Sequence, residues 1–127
     1  MQFIKSLAVI AALLFTFSAG AITAGVRRWF LPIVTVDLVN HSGQPVTKLS
    51  VIVETSGYGN SISVQDIPVD ASQTVRFVLA GEGSYQIHAT LADGKILNGG
   101  AGYVEAGYNA RETLLPNKVE SKYLHIF

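Results

Sequence analysis

The chain has 127 residues, enough for one folded domain with an appendage and too few for two. Nine Lys and Arg balance nine Asp and Glu, which argues against nucleic-acid binding, and 49% hydrophobic with 14% charged residues is not the composition of a disordered chain. Cysteine is absent, so disulfides, thiol catalysis, zinc–thiolate and iron–sulfur sites and a lipoprotein anchor are all excluded.

Residues Ser6 to Val26 come after Lys5 and carry no charge. Taken whole, this span at ~1.5 Å rise per residue covers roughly 31 Å, about the thickness of a bilayer's hydrocarbon core. Arg27, Arg28, Trp29 and Phe30 come next, in the order of a membrane boundary: snorkelling cations, then interfacial aromatics. A second reading takes only Leu7 to Phe17, the size of a signal-peptide core, with cleavage after Ala21 in the small-residue pattern Ala19-Gly20-Ala21. The retained anchor is the reading adopted, and a secreted or periplasmic chain cleaved near Ala21 is the alternative. Cations on both flanks leave the positive-inside rule without a vote. An N-terminal signal-like element ordinarily exports the chain behind it, so the C-terminal part is expected outside the cytoplasm, in the periplasm of a Gram-negative source. The domain boundary falls between residues 1–31 and 32–127.

Beyond Pro32 the pattern changes to period-two alternation, the mark of half-buried strands. Val34, Val36 and Leu38 form one inward row, and Asn40 to Pro45 is a turn cluster. Inward rows recur at Leu49, Val51 and Val53, then at Ile62 and Val64 after the loop Ser56 to Asn60. Val75, Phe77 and Leu79 make the next row, then Tyr85, Ile87, Ala89 and Leu91. Asp93-Gly94 signals a hairpin into Ile96-Leu97, Gly99 to Tyr108 is glycine-rich, and Arg111 to Leu115 reads as a last core strand. Tyr123 to Phe127 would add an edge strand. The fold expected is all-β, a small antiparallel β-sandwich of about seven strands preceded by one N-terminal hydrophobic helix. From Ile33 on there are six basic and nine acidic side chains, a net charge of −3, so this part has no pull toward anionic lipid.

Ser42-Gly43-Gln44-Pro45-Val46, the strand Leu49 to Val53, Gly83-Ser84-Tyr85-Gln86-Ile87 and Asp93-Gly94 resemble the prealbumin-like and carboxypeptidase-regulatory-like sandwiches. The resemblance covers residues 34 to 97 and consists mostly of turn and strand chemistry. It implies a structural or binding module of an exported protein. Immunoglobulin-like topology is the alternative.

The pattern nominates no catalytic, cofactor or metal residues, and no enzyme is expected. His41, His88 and His125 lack metal-ligand spacing. Asp66, Asp70, Glu54, Glu82, Glu105 and Glu112 read as solvated or loop-capping carboxylates. The glycine clusters neither open a helix nor supply a phosphate-loop lysine, so they read as turns and bulges. Asn40-His41-Ser42 fits a glycosylation sequon.

What stands out is tyrosine beside glycine: Tyr58, and the tandem Ala101-Gly102-Tyr103 and Ala106-Gly107-Tyr108. Stiff amphipathic rings on loops give contact area at low entropic cost, so Tyr58, Tyr103 and Tyr108 are the candidate partner-contact residues. The competing role for the tandem is structural, one ring filling the sandwich end while Gly107 turns the chain. The function expected is protein–protein interaction by a membrane-anchored extracytoplasmic sandwich. The alternatives are an exported small-ligand or glycan-binding module and a toxin-neutralising immunity or inhibitor protein.

Overall fold

A computed structural model of the chain describes residues 1–26 and 32–125. It divides into two compact units, Met1–Leu31 and Pro32–Phe127. The boundary residues Arg27 to Phe30 and the final Ile126 and Phe127 lie outside the described residues.

The first unit carries one helix, α1, Gln2–Val26. Its stretch Phe3–Val26 has a mean hydropathy of 2.1 and is long and apolar enough to cross a membrane. Ile10, Leu13, Leu14, Phe15 and Phe17 are all exposed. The hydroxyls are satisfied within the helix. Thr16 donates to the Ala12 and Leu13 carbonyls, Ser18 to Leu14 and Thr23 to Ala19, at 2.8–3.0 Å. Such back-bonding removes the need for water along the span.

The second unit is a sandwich of two four-stranded sheets. Its strands are β1 Ile33–Asn40, β2 Val46–Thr55, β3 Tyr58–Ile67, β4 Ser72–Val78, β5 Glu82–Leu91, β6 Ile96–Glu105, β7 Asn109–Leu114 and β8 Val119–His125. One sheet has the order β4-β1-β7-β8 and the other β3-β2-β5-β6. Every pair is antiparallel except β1 with β7, which run parallel. The all-β sandwich behind one apolar helix is as expected, with three differences of detail, the first being the parallel β1–β7 pair. Among the described residues there are eight strands, because β8 starts at Val119, and β6 continues through the glycine-rich stretch.

Those glycines are what let β6 continue. Gly100 has φ +123°, and a Cβ there would lie 2.2 Å from the Tyr85 carbonyl oxygen. A Cβ on Gly99 would lie 2.5 Å from Val119 Cβ. Only a bare backbone admits both the tight β5–β6 pairing and the crossing of β8.

The inward rows read from the alternation are buried together: Val34, Val36 and Leu38 against Leu49, Val51 and Val53, with Val75, Phe77, Tyr85, Ile87 and Leu91. Phe77 meets Tyr85 edge to face across the layers, centroids 6.0 Å apart.

Asn40 ends β1 as a fully buried hub. Its Nδ2 donates toward the carbonyls of Gln44, Ile67 and Pro68 at 2.8–3.1 Å, and its Oδ1 accepts from the Ser42 hydroxyl at 2.7 Å. The sequon read at Asn40 is therefore sealed inside the folded sandwich. Its amide nitrogen already serves the fold.

Candidate functional site

The sandwich has two ends. Strand direction puts the turn at 41–45 with 68–71, 92–95 and 115–118 at one end. The turns at 56–57, 79–81 and 106–108 lie at the other, together with Ile33, where the chain enters β1. All five tyrosines sit toward this entry end, and the far turns carry no Tyr, Phe or Trp. The loop Ser56 to Asn60, with Tyr103 and Tyr108, is thus assigned to one end that the sequence could not fully specify.

Tyr103, Tyr108 and Tyr123 form an edge-to-face run. Centroids are 6.2 Å apart between Tyr103 and Tyr108 and 5.5 Å between Tyr108 and Tyr123. The hydroxyl of Tyr103 donates to Glu82 at 3.3 Å, that of Tyr108 to Glu105 at 3.2 Å, and that of Tyr123 to the Tyr103 carbonyl at 2.7 Å. Desolvation, reinforced by the Glu105 and Glu82 carboxylates, pushes the Tyr103 phenol up to about 12. Tyr108 is raised by desolvation and by its bond to Glu105.

The three nominated tyrosines separate by exposure. Tyr58 is 81% exposed and Tyr103 44%, whereas Tyr108 is buried at 9%. Tyr108 therefore fills the sandwich end, behind a turn in which Gly107 takes φ +90°. It is not a surface contact, which corrects its nomination as one and matches the structural role weighed for one ring of the tandem. The reason is local. Tyr108 shares the parity of the buried Ala110, Glu112 and Leu114, whereas the register shift between Gly83 and Tyr85 in the β5–β6 pairing takes Tyr103 out of the inward row of Leu97 and Ala101. Tyr123, which packs on Tyr108, is a contact that sequence reasoning misses, although Val119, Ser121 and Tyr123 share one parity of β8.

Beside Tyr103 lies an open hollow of about 370 Å³ lined by Glu54, Ser56, Glu82, Gly83 and Ser84 among others. His41 approaches Asp70 at 4.0 Å, and His88 Nδ1 lies 2.6 Å from Asn98 Oδ1 on the outer face of β5 and β6. The His125 side chain lies outside what is described. Among the described residues, no three His, Cys, Asp or Glu converge on a point that would hold a metal.

One carboxylate departs from its expected solvated role. Glu112 is completely buried, its Oε1 accepting from the Tyr85 hydroxyl at 2.6 Å and its Oε2 from the Ser121 hydroxyl at 2.7 Å. It faces inward because it shares the strand face of Ala110 and Leu114. Burial, followed by the bond to Glu112 and its charge, raises the Tyr85 phenol far above its ordinary value. This joins β5 of one sheet to β7 and β8 of the other.

No family model matches the chain, and no curated protein matches it. Solved structures do. The NMR structure of a protein from Eubacterium rectale superposes with a TM-score of 0.55 at 15% identity, covering 74% of this chain and 90% of that one. A putative cell adhesion protein from Bacteroides ovatus ATCC 8483 superposes with a TM-score of 0.50 at 8% identity, covering 75% of this chain. This chain spans 44% of that protein's length. At such identities the likeness is one of fold.

Proposed function

We propose that the chain is a non-catalytic, membrane-anchored interaction module whose β-sandwich lies outside the cytoplasm and engages another protein. The observation that carries this reading is the exposed apolar surface of α1, joined to a sandwich that closes its own core. A bilayer is the environment that would cover such a helix. The putative adhesion role of the Bacteroides ovatus protein supports an interaction module. Exposed Tyr58 and Tyr103 supply aromatic contact area.

The prealbumin-like reading draws support from strand order. An immunoglobulin constant-type sandwich keeps its first two strands in one sheet. Here β1 lies between β4 and β7 while β2 belongs to the opposite sheet.

Fractionation tests the anchor. The protein should stay with membranes through high-salt and carbonate washing, with Met1 to Val26 present in the intact mass. A soluble mature chain starting at Ile22 would replace the anchor with a cleaved signal. The second reading, a small-ligand module, is favoured by the hollow beside Tyr103. Calorimetric titration with neutral oligosaccharides that gives heat lost in Tyr103→Ala would establish it.

A further inference from the structure

Four strands form the lateral edges of the sandwich: β4 and β8 in one sheet, β3 and β6 in the other. Two of them are tied to each other. Ser121 of β8 donates to the Gly100 carbonyl of β6 at 3.1 Å, and Tyr123 of β8 to the Tyr103 carbonyl at 2.7 Å. Lys95, just before β6, donates to the Pro116 carbonyl, just before β8, at 2.9 Å. On the other side β4 is a seven-residue strand carrying Arg76, so it is short and charged. Both devices are ways of discouraging edge-to-edge pairing.

β3 has neither. It is ten residues long, and from Tyr58 to Gln65 it contains no charge and no proline. Its outward positions, Gly59, Ser61, Ser63 and Gln65, are small or uncharged and all exposed. Ile62 is only half-buried, and Tyr58 is 81% exposed. An unprotected strand of this kind is a template for another strand.

We infer that β3 is a docking edge for a second copy of this chain, added antiparallel across a twofold axis normal to the sheet. Such an axis keeps each face on its own side, so outward residues meet outward and inward meet inward. With Ile62 opposite its own counterpart, Ser61 meets Ser63, Asn60 meets Val64 and Gly59 meets Gln65, and the pairing ends before Asp66, whose φ of +55° leaves the extended region. The strand is self-complementary in this register. The paired stretch from Gly59 to Gln65 carries no charge, two half-covered isoleucines meet, and hydroxyls pair on the outer face. One strand pair buries less than the ~1,200 Å² of a standard interface, so the contact is weak between free molecules and strengthens among many copies on a surface. Antiparallel pairing also places Ile33 of the two copies at opposite ends of the joined sheet. That suits copies on apposed membranes, a consequence that rests on the anchored reading.

The absence of cysteine makes the test direct. Full-length Ser61→Cys and Ser63→Cys proteins are mixed in detergent and oxidised, with Thr74→Cys on β4 as the control and circular dichroism as the check of folding. The expected result is a disulfide-linked dimer formed several-fold faster in the Ser61→Cys plus Ser63→Cys mixture than from either alone or from Thr74→Cys. Equal rates in all samples would overturn the pairing. The same two proteins are then placed in separate vesicle populations that are mixed. Heterodimer between populations supports pairing across membranes. Its absence from vesicles that retain the protein through carbonate overturns that arrangement, whereas loss of protein in the wash overturns the anchor and leaves the edge pairing to the detergent result.

Discussion

The two lateral sides of the sandwich are built on opposite principles. On the β6–β8 side, hydroxyls from one sheet reach carbonyls of the other, and bare glycine backbone lets Val119 settle against β6. Behind this seam lies the buried pair of Tyr85 and Glu112, to which the exposed Ser121 donates from the rim. On the β3–β4 side, the sheets meet through the apolar core, and β3 presents an uncharged edge of small side chains. The lesson is that one side invests its polar groups in the fold, whereas the other leaves them outward, where a change alters association more than stability.

Substitutions sharpen this contrast. The largest effect is expected for Gly100→Ala, which forces a Cβ into the Tyr85 carbonyl at a backbone angle that L residues rarely adopt. Strain and overpacking together should cost about 2–5 kcal/mol, read from the urea midpoint. Next is Tyr85→Phe, which leaves a buried Glu112 oxygen without its donor and should cost about 1.5–3 kcal/mol.

The same residue sets a pH dependence. An unfolded tyrosine ionises from about pH 10, whereas the folded Tyr85 keeps its proton because burial and the Glu112 carboxylate disfavour the phenolate. Unfolding in that range releases a proton, so native stability is complete below about pH 10 and falls as pH rises above it. Thermal melts between neutrality and pH 11 should show this decline, and Tyr85→Phe should reduce it, the raised Tyr103 and Tyr108 leaving a remainder.

Tyr123→Phe removes one hydroxyl from the seam and should cost about 0.5–1.5 kcal/mol. The smallest effect is expected on the open side. Ser61→Lys with Ser63→Lys should change stability by no more than about 0.5 kcal/mol while abolishing the self-pairing of β3. A double lysine variant as damaging as Gly100→Ala would erase the distinction between the two sides.

Much of this architecture is legible in the sequence because it rests on local periodicity. The uncharged run after Lys5 reads directly as an apolar helix, and the rows at Val34, Leu49, Val75 and Tyr85 read as strands with one buried face. Alternation holds the same information for Glu112, which shares the parity of Ala110 and Leu114. It reads as solvated only when an ionisable residue type is given more weight than its position. The glycine-rich stretch resists for another reason. Gly99 and Gly100 answer to Val119 and Tyr85, residues distant in the chain, so nothing local distinguishes a strand that needs glycine from a loop that merely tolerates it.

By itself, then, the sequence determined the apolar helix, the sandwich and most of its inward rows, since hydrophobic period and turn chemistry act over a few neighbouring residues. Only the tertiary structure decided that Tyr103 faces out past the β5–β6 register shift, that β7 runs parallel beside β1, and that β6 and β8 close one side. These outcomes depend on which strands meet across the sheets. Pairings between distant segments are selected by the packing of the whole core, and no short window of sequence contains that information.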